Sequence, residues 1–422
     1  MKRTDEGSID FHSSKYKNIQ MKEFFRLLKR EFKLFIGNST LRTVFFLAPV
    51  FYATLLGFVY KSGKVENTPV LVVDRDNTPL SNQLTEMLDD NKSIKIIRYL
   101  QEPLSIKDEV IRHEAAAVVI IPSRFEGDML QKKYPELNVY INTGNVLTAN
   151  FASKALQLTI GTFSAGASIK ALQKAGMPAA KAVTQYEPFK ANYITLFNTT
   201  GNYLIFMWPA MLAVVLQQVT LLAMAVSFAA EFERGSFLKE YLKMKKWAFP
   251  TMLIKVIPIW VFSILIVGIY YFMHMIFHVP MPEGIFNFIL LTAVFVGSVS
   301  FLGVFISILI PDALKATQIL MVIASPAFII SGFTWPLSAM PAFVQFIANI
   351  IPLTPFLQAF KILLIQKGSV ELTFPYLKHL SILLVVYAVI GWIALKIKLW
   401  FIFRKAAPQE IAVENASSED VE

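Results

Sequence analysis

The apolar runs of this chain are unevenly placed, and their placement constrains the fold more than any other feature. One run, Leu41 to Tyr60, lies near the N-terminus; a long and largely polar stretch follows, and the other runs crowd into Leu204 to Phe403. About 20 consecutive apolar residues span a bilayer as a helix. The pattern therefore predicts a polytopic α-helical membrane protein with a folded polar domain between its first and second spans. Composition agrees: 55% of residues are hydrophobic and mean hydropathy is +0.51, more apolar than a soluble globule and less so than a chain lying wholly in lipid. The net charge of +10 does not point to nucleic acid, because the basic residues sit beside span ends, where they set orientation. Cys is absent, which excludes disulfides, thiolate metal sites and cysteine nucleophiles. The first run is too long for a cleavable signal and has no small-residue cleavage site after it, so it is expected to stay attached.

Within the arm 1–40, Met21, Phe24, Phe25, Leu28, Phe32, Phe35 and Ile36 recur at helical spacing, with Lys22, Arg26, Lys29, Arg30 and Lys33 on the other face. That is the pattern of a helix lying in the membrane interface. Gly37 to Thr40 supplies a stop and a fresh cap before span 1, 41–60. Later spans read as Leu204 to Ala230, Met252 to Phe277, Phe286 to Ile310, Gln318 to Phe333 and Leu380 to Phe403, all within the segment 202–405. The stretch Phe343 to Ile365 is apolar too, but Pro352 and Pro355 break it. If it crossed, Lys396, Lys398, Arg404 and Lys405 would lie outside, while Lys239, Lys243, Lys245 and Lys246 mark the inside. The positive-inside rule thus favours six transmembrane helices, a re-entrant or interfacial hairpin at 335–365 and two cytoplasmic termini. By alternation the insert 61–201 is extracytoplasmic, and short β-branched runs at Val70–Asp74, Ile94–Tyr99, Ala116–Ile121 and Leu137–Ile141 alternate with helical ones, giving an α+β domain. The acidic tail 406–422 reads as disordered.

No catalytic pattern emerges. Gly161 to Gly166 has the glycine spacing of a phosphate loop, but Ala167 stands where the phosphate-binding Lys must be. His113-Glu114 lacks the second His of a zinc helix, and the five His do not cluster with carboxylates. No cofactor or metal site is expected. The spans carry no Asp or Glu, and Lys255, Lys361, His274 and His278 read as groups snorkelling near span ends, so no residue offers itself for ion coupling. Energy for any transport would then come from a cytoplasmic partner.

The segment 231–246, Glu231 to Lys246, is suited to meet such a partner. It leaves span 2 directly, alternates acid and base, and keeps Phe237, Leu238, Tyr241 and Leu242 at helical spacing, an apolar stripe of the kind that docks in a cleft. Here Glu233-Arg234-Gly235-Ser236 resembles the Glu-x-Gly-Thr/Ser element that follows the second span in type-2 ABC exporter permeases. The order of elements is similar throughout: an interfacial basic helix, one span, an outer domain opening on Val72-Val-Asp-Arg-Asp76, then five spans, with Ser331-Gly-Phe-Thr-Trp-Pro336, Met340-Pro341 and Ile351-Pro-Leu-Thr-Pro355 resembling that family's outer hairpin. Leu238 and Phe232 depart from it, standing where Glu and Arg are frequent.

The resemblance implies the membrane subunit of an exporter in the bacterial inner membrane. It would pair with a second copy or a sibling permease and with a separate cytoplasmic ATP-binding subunit, moving an amphiphilic or drug-like substrate or envelope component. A periplasmic adaptor stays open. Candidate coupling residues are Glu231, Glu233, Arg234, Gly235, Ser236, Phe237 and Tyr241. Candidate pathway residues are Gln217 and Gln218, with Asn202 and Tyr203 at the outer end of span 2, since polar groups there need a partner or water; helix–helix hydrogen bonding is an equal alternative for the glutamines. Two rival readings are a membrane-anchored receptor or assembly factor whose outer domain binds a protein or peptide, and a mechanotransmitting permease that moves nothing across the bilayer.

Overall fold

A computed structural model describes residues 6–131, 133–186, 194, 196–241, 248–281 and 284–419, with the side chains of 21–404 among them apart from 238, 239 and 403. The chain divides into two compact units, Met1–Lys61 with Leu196–Glu422 and Ser62–Thr195.

The first unit opens with α1 (Glu6–Gly37) and α2 (Ser39–Val59). Asn38 separates them, its side chain accepting from the Leu41 amide as the N-cap of α2. The apolar face of α1 is divided. Leu27 and Phe35 are buried with Phe24 beside them, and Phe35 stacks on Phe262 at 4.7 Å between centroids. Met21, Phe25 and Ile36 are exposed, the distribution of a helix that rests on the bundle with one edge open to lipid.

The second unit holds β1 (Thr68–Asp74), α3 (Pro79–Asp89), β2 (Ile94–Tyr99), α4 (Ile106–Arg112), β3 (Ala117–Ile121), α5 (Phe125–Leu130), β4 (Asn138–Ile141), α6 (Val146–Lys174) and α7 (Ala179–Tyr186). The sheet order is β2-β1-β3-β4, with β1 parallel to both neighbours and β4 antiparallel to β3. Val70, Val72, Ala117 and Val119 face Leu84, Leu88 and Leu156, while Leu71, Val73, Val118 and Ile120 face Ile106 and Val110. Burial on both faces is why β1 and β3 read as unbroken apolar runs. At the end of β1, Asp74 accepts from the amides of Asp76 and Asn77 and from Ser81 Oγ. Asp76 accepts from Thr78 Oγ1 at 2.6 Å and from the Glu126 amide at 2.9 Å. The Val-Val-Asp-Arg-Asp element is thus a structural turn. Burial works against ionisation of Asp76, but the Thr78 hydroxyl and the amides of residues 124–126 outweigh it and hold its carboxyl below the usual 3.8.

The remaining elements belong to the first unit: α8 (Tyr203–Glu233), α9 (Ser236–Tyr241), α10 (Ala248–Ile276), α11 (Ile285–Leu309), α12 (Ala313–Ile330), α13 (Ala342–Ile350), α14 (Leu353–Phe360) and α15 (Phe374–Glu419). Among the described residues, six helices are long and apolar enough to cross a membrane. α8 is the most enclosed, because small residues let its neighbours approach: a Cβ added at Gly303 of α11 would lie 2.5 Å from Met224 Cβ. Trp208 Nε1 donates to the Ala53 carbonyl of α2 at 2.8 Å. α13 and the extended α14 (353–365) meet at an 87° bend. α13 has 9 residues, about 13 Å of rise, and cannot cross alone. The carbonyls freed at the bend are taken by α15, Tyr387 Oη donating to Ile350 and His379 Nε2 to Asn349. The tail expected to be disordered instead continues α15 to Glu419; residues 420–422 and the run Lys243–Lys246 lie outside the described residues.

Candidate functional site

α8 runs past the apolar run that predicts it, ending at Glu233 with Arg234 as C-cap. Gly235 then takes φ +66, a left-handed value that suits glycine at the residue after a helix cap, and the chain turns into α9. Of the expected apolar stripe, Phe237 and Tyr241 turn inward, while Leu242 and the side chain of Leu238 lie outside what is described. Phe237 and Tyr241 are each 3% exposed; Phe237 packs on Phe232 and Tyr241, both at 4.8 Å. Aromatic rings at helical spacing here fill the chain's own core, so neither ring presents a free face.

Tyr241 leads into a buried charge network. Its hydroxyl donates to Glu31 Oε1 of α1 at 2.9 Å. Lys255 of α10 places Nζ 3.0 Å from Glu31 Oε2 and 2.8 Å from Glu231 Oε2 of α8. Arg30 Nη1 bridges the same two carboxylates, at 2.9 Å to Glu31 and 2.7 Å to Glu231. At the margin, Arg26 and Arg30 both lie 3.7 Å from Glu240. The Lys255 ammonium also stands over the rings of Tyr241 (5.4 Å) and Phe228 (5.7 Å). Four helices therefore meet on two carboxylates and two cations. Lys255 is not a snorkelling group but the enclosed centre of the cluster, and Glu231, past the apolar run of span 2, is buried at the end of its helix.

Burial opposes the charge on Arg30, yet its hydrogen bond and proximity to Glu231, with Glu31 beside it, hold its pKa above the ordinary value. Burial first, and then the negative charge of Glu31 and Glu231, pushes the Tyr241 phenol well above its usual range, so it stays a donor. Breaking one partner of such a buried cluster costs about 3–5 kcal/mol, so α9 is fixed to α1, α8 and α10 rather than resting on them.

Just before Glu231, at Ala225 to Ala229, Ser307 of α11 hydrogen-bonds to the backbone of α8. Its hydroxyl accepts from the Phe228 and Ala229 amides, at 3.0 and 2.9 Å, and donates to the Ala225 carbonyl at 2.9 Å. The contact ties α11 to a single turn of α8 by three hydrogen bonds. No sequence motif announces it.

Glu233, Arg234 and Gly235 are exposed and Ser236 is half-buried. Glu233 Oε2 accepts from the Ala313 amide at 3.3 Å, capping the start of α12 rather than α9. A cavity of about 480 Å³, lined in part by Glu31, Lys33, Glu231, Arg234 and Lys255, opens beside the network. The pathway candidates separate: Asn202 is the N-cap of α8, accepting from Leu204 and Ile205 amides; Tyr203 packs at 5.9 Å from Tyr60; Gln218 is half-buried. Gln217 is buried, and among the described residues its Oε1, like Thr220 Oγ1 one turn on, has no hydrogen-bond partner. Among the described residues no group of three or more His, Cys, Asp or Glu could hold a metal.

Over residues 39–396 the sequence matches the model of a family described as ABC-2 family transporter proteins. It is 21% identical to the probable multidrug ABC transporter permease YbhR of Escherichia coli strain K12 over 352 residues, 82% of this chain and 90% of that protein. The counterpart from Escherichia coli O157:H7 is similar to the same degree.

Proposed function

The chain belongs to the ABC-2 transporter family, a multi-pass membrane permease, and from that membership we propose that it is the membrane subunit of an ATP-driven exporter. ATP is bound by a separate cytoplasmic subunit, and two permeases, identical or sibling, form the complete transporter in the bacterial inner membrane with both termini in the cytoplasm. The unit 62–195 is extracytoplasmic, and the cargo is an amphiphilic or drug-like molecule or an envelope component.

The observation that carries the reading is the charge network. The exposed turn at Glu233 to Gly235 receives the partner. A push there reaches α9, and the network passes it to α1 through Tyr241 and Glu31 and to α10 through Lys255. Above the network, the turn of α8 held by Ser307 lets the cytoplasmic end of the helix swing, which alters access along Gln217, Gln218 and Thr220. ATP thereby biases one of two states, the physical content of coupling at a distance.

Two variants separate docking from transmission. In inverted vesicles holding the permease and its ATP-binding subunit, Glu233→Lys is expected to lower both pull-down of that subunit and ATP-dependent uptake of an amphiphilic dye. Tyr241→Phe keeps the ring but deletes the hydrogen bond to Glu31, so pull-down stays normal while uptake falls several-fold. Intact association and uptake in both variants would remove this segment from the mechanism. ATP binding by the purified chain alone would overturn the assignment of ATP to a partner.

A further inference from the structure

A second cavity, of about 570 Å³, lies farther along α10 from the charge network, between α8, α10, α11 and α14. Its wall is built from helical stripes. On α10 it takes residues from Trp260 to His274; α11 contributes Thr292 and Val296, and α14 contributes Phe356 and Phe360. Ile264 and Ile289 also line it while remaining 73% and 52% exposed, so the cavity opens sideways on the outer surface of the helix bundle.

Three of the polar side chains in this wall are satisfied. Thr292 Oγ1 donates to the Phe288 carbonyl at 2.8 Å, Trp260 Nε1 to Ser300 Oγ at 3.3 Å and His274 Nδ1 to the Tyr270 carbonyl at 2.8 Å. Ser263 Oγ and Tyr270 Oη are not. Both residues line the cavity, they are 3% and 7% exposed, and among the described residues neither hydroxyl has a hydrogen-bond partner. For Ser263, the contrast with Thr292 and Ser300, which bond to the carbonyl four residues back, shows that helix geometry does not forbid satisfaction. A buried hydroxyl without a partner is costly, and water is a poor remedy in a predominantly apolar space, because it needs two to four polar partners. Seven residues apart on one helix, the two residues stand on the same face, with their Cα atoms about 10 Å apart along the axis.

We propose that this cavity is a binding site for an elongated amphiphile, entering from the membrane, whose apolar body fills the space and whose hydroxyl or carbonyl oxygens are held by Ser263 and Tyr270. Membrane phospholipid, through its acyl chain and ester carbonyl, and a free amphiphile such as a long-chain alcohol share this chemistry. Binding needs only the permease, so the proposal stands or falls apart from the assignment of an ATP-binding partner.

Gly268 gives a direct test. It lines the cavity, and a Cβ added there would meet nothing within 4 Å, so Gly268→Leu fills the space from a helix-interior position where replacing glycine favours the helix. The full chain, reconstituted in phosphatidylethanolamine and phosphatidylglycerol vesicles, is photolabelled in two arms: with phosphatidylethanolamine bearing a diazirine on its acyl chain, and with a diazirine-bearing dodecanol. Labelled peptides are located by mass spectrometry. Label from at least one probe is expected on peptides containing Ile264 to His274, reduced at least five-fold by Gly268→Leu and several-fold by Ser263→Ala with Tyr270→Phe. Labelling by the phospholipid alone identifies a structural lipid site, and labelling by the alcohol that excess dodecanol displaces identifies a site for free amphiphiles. Absence of label here, or label unchanged by Gly268→Leu, overturns the site. Should Gly268→Leu not fold, the near-isosteric pair Ser263→Ala and Tyr270→Phe decides; label unchanged by that pair overturns the hydroxyl-held amphiphile.

Discussion

The two carboxylates that hold Lys255 are the same two that Arg30 bridges, so no member of the group can be removed without leaving charge uncompensated inside the bundle. Lys255→Met is therefore expected to destabilise the protein by about 3–5 kcal/mol, seen as a lower thermal midpoint in detergent and reduced membrane abundance. Adding Glu231→Gln should recover part of the loss, since one surplus negative charge is then removed; a double variant no better than Lys255→Met would mean the ions are not coupled. In the other unit, the depressed pKa of Asp76 makes a signed prediction. Its contribution to stability is present above the unfolded value of 3.8 and disappears as pH falls through the lower folded value. Unfolding midpoints of the full chain and Asp76→Asn should thus differ most above pH 4 and converge in stronger acid. Glu231 and Tyr241 were legible as notable residues because they sit in a distinctive segment. The acceptor of the Tyr241 hydroxyl was not: Glu31 lies 210 residues away, on α1 four residues from each of the buried Leu27 and Phe35, and a single acid beside an apolar stripe announces no distant partner. An ion pair formed across such a separation leaves no periodicity to detect.

Helix α8 behaves as a central post because its contacts combine close backbone approach with hydrogen bonds from other helices. Gly303→Ala forces a Cβ to within 2.5 Å of Met224 Cβ, an atom near the backbone that cannot swing aside, so α8 and α11 must separate. The variant should lose folded yield and lower its thermal midpoint, whereas Gly166→Ala on α6, where an added Cβ meets nothing within 4 Å, should match the parent or exceed it slightly. Equal behaviour of the two would argue against tight packing at Gly303. The long elements were readable from period and length, and the four strands lie within two residues of their expected bounds. Shorter α5 and α7 escaped, being too brief for a periodic signal. Proline marked the break in the hairpin, but not its angle, because the bend depends on Tyr387 and His379 reaching from α15.

For the molecule as a whole, orientation is the decisive quantity, and the absence of cysteine makes it measurable without background. Single substitutions Lys133→Cys and Glu371→Cys should react with a membrane-impermeant maleimide added to intact cells, while Arg234→Cys should react only after permeabilisation. Reaction of Arg234→Cys in intact cells, or protection of Glu371→Cys, would invert the arrangement or turn the bent pair α13 and α14 into a crossing. The buried network carries a further consequence for how such a protein works in an energised membrane. Moving one unbalanced charge through the full field changes its energy by about 2.3 kcal/mol per 100 mV. Arg30 and Lys255 against Glu31 and Glu231 sum to zero. If the four move together, they carry no gating charge, and the resting voltage neither drives nor resists the stroke.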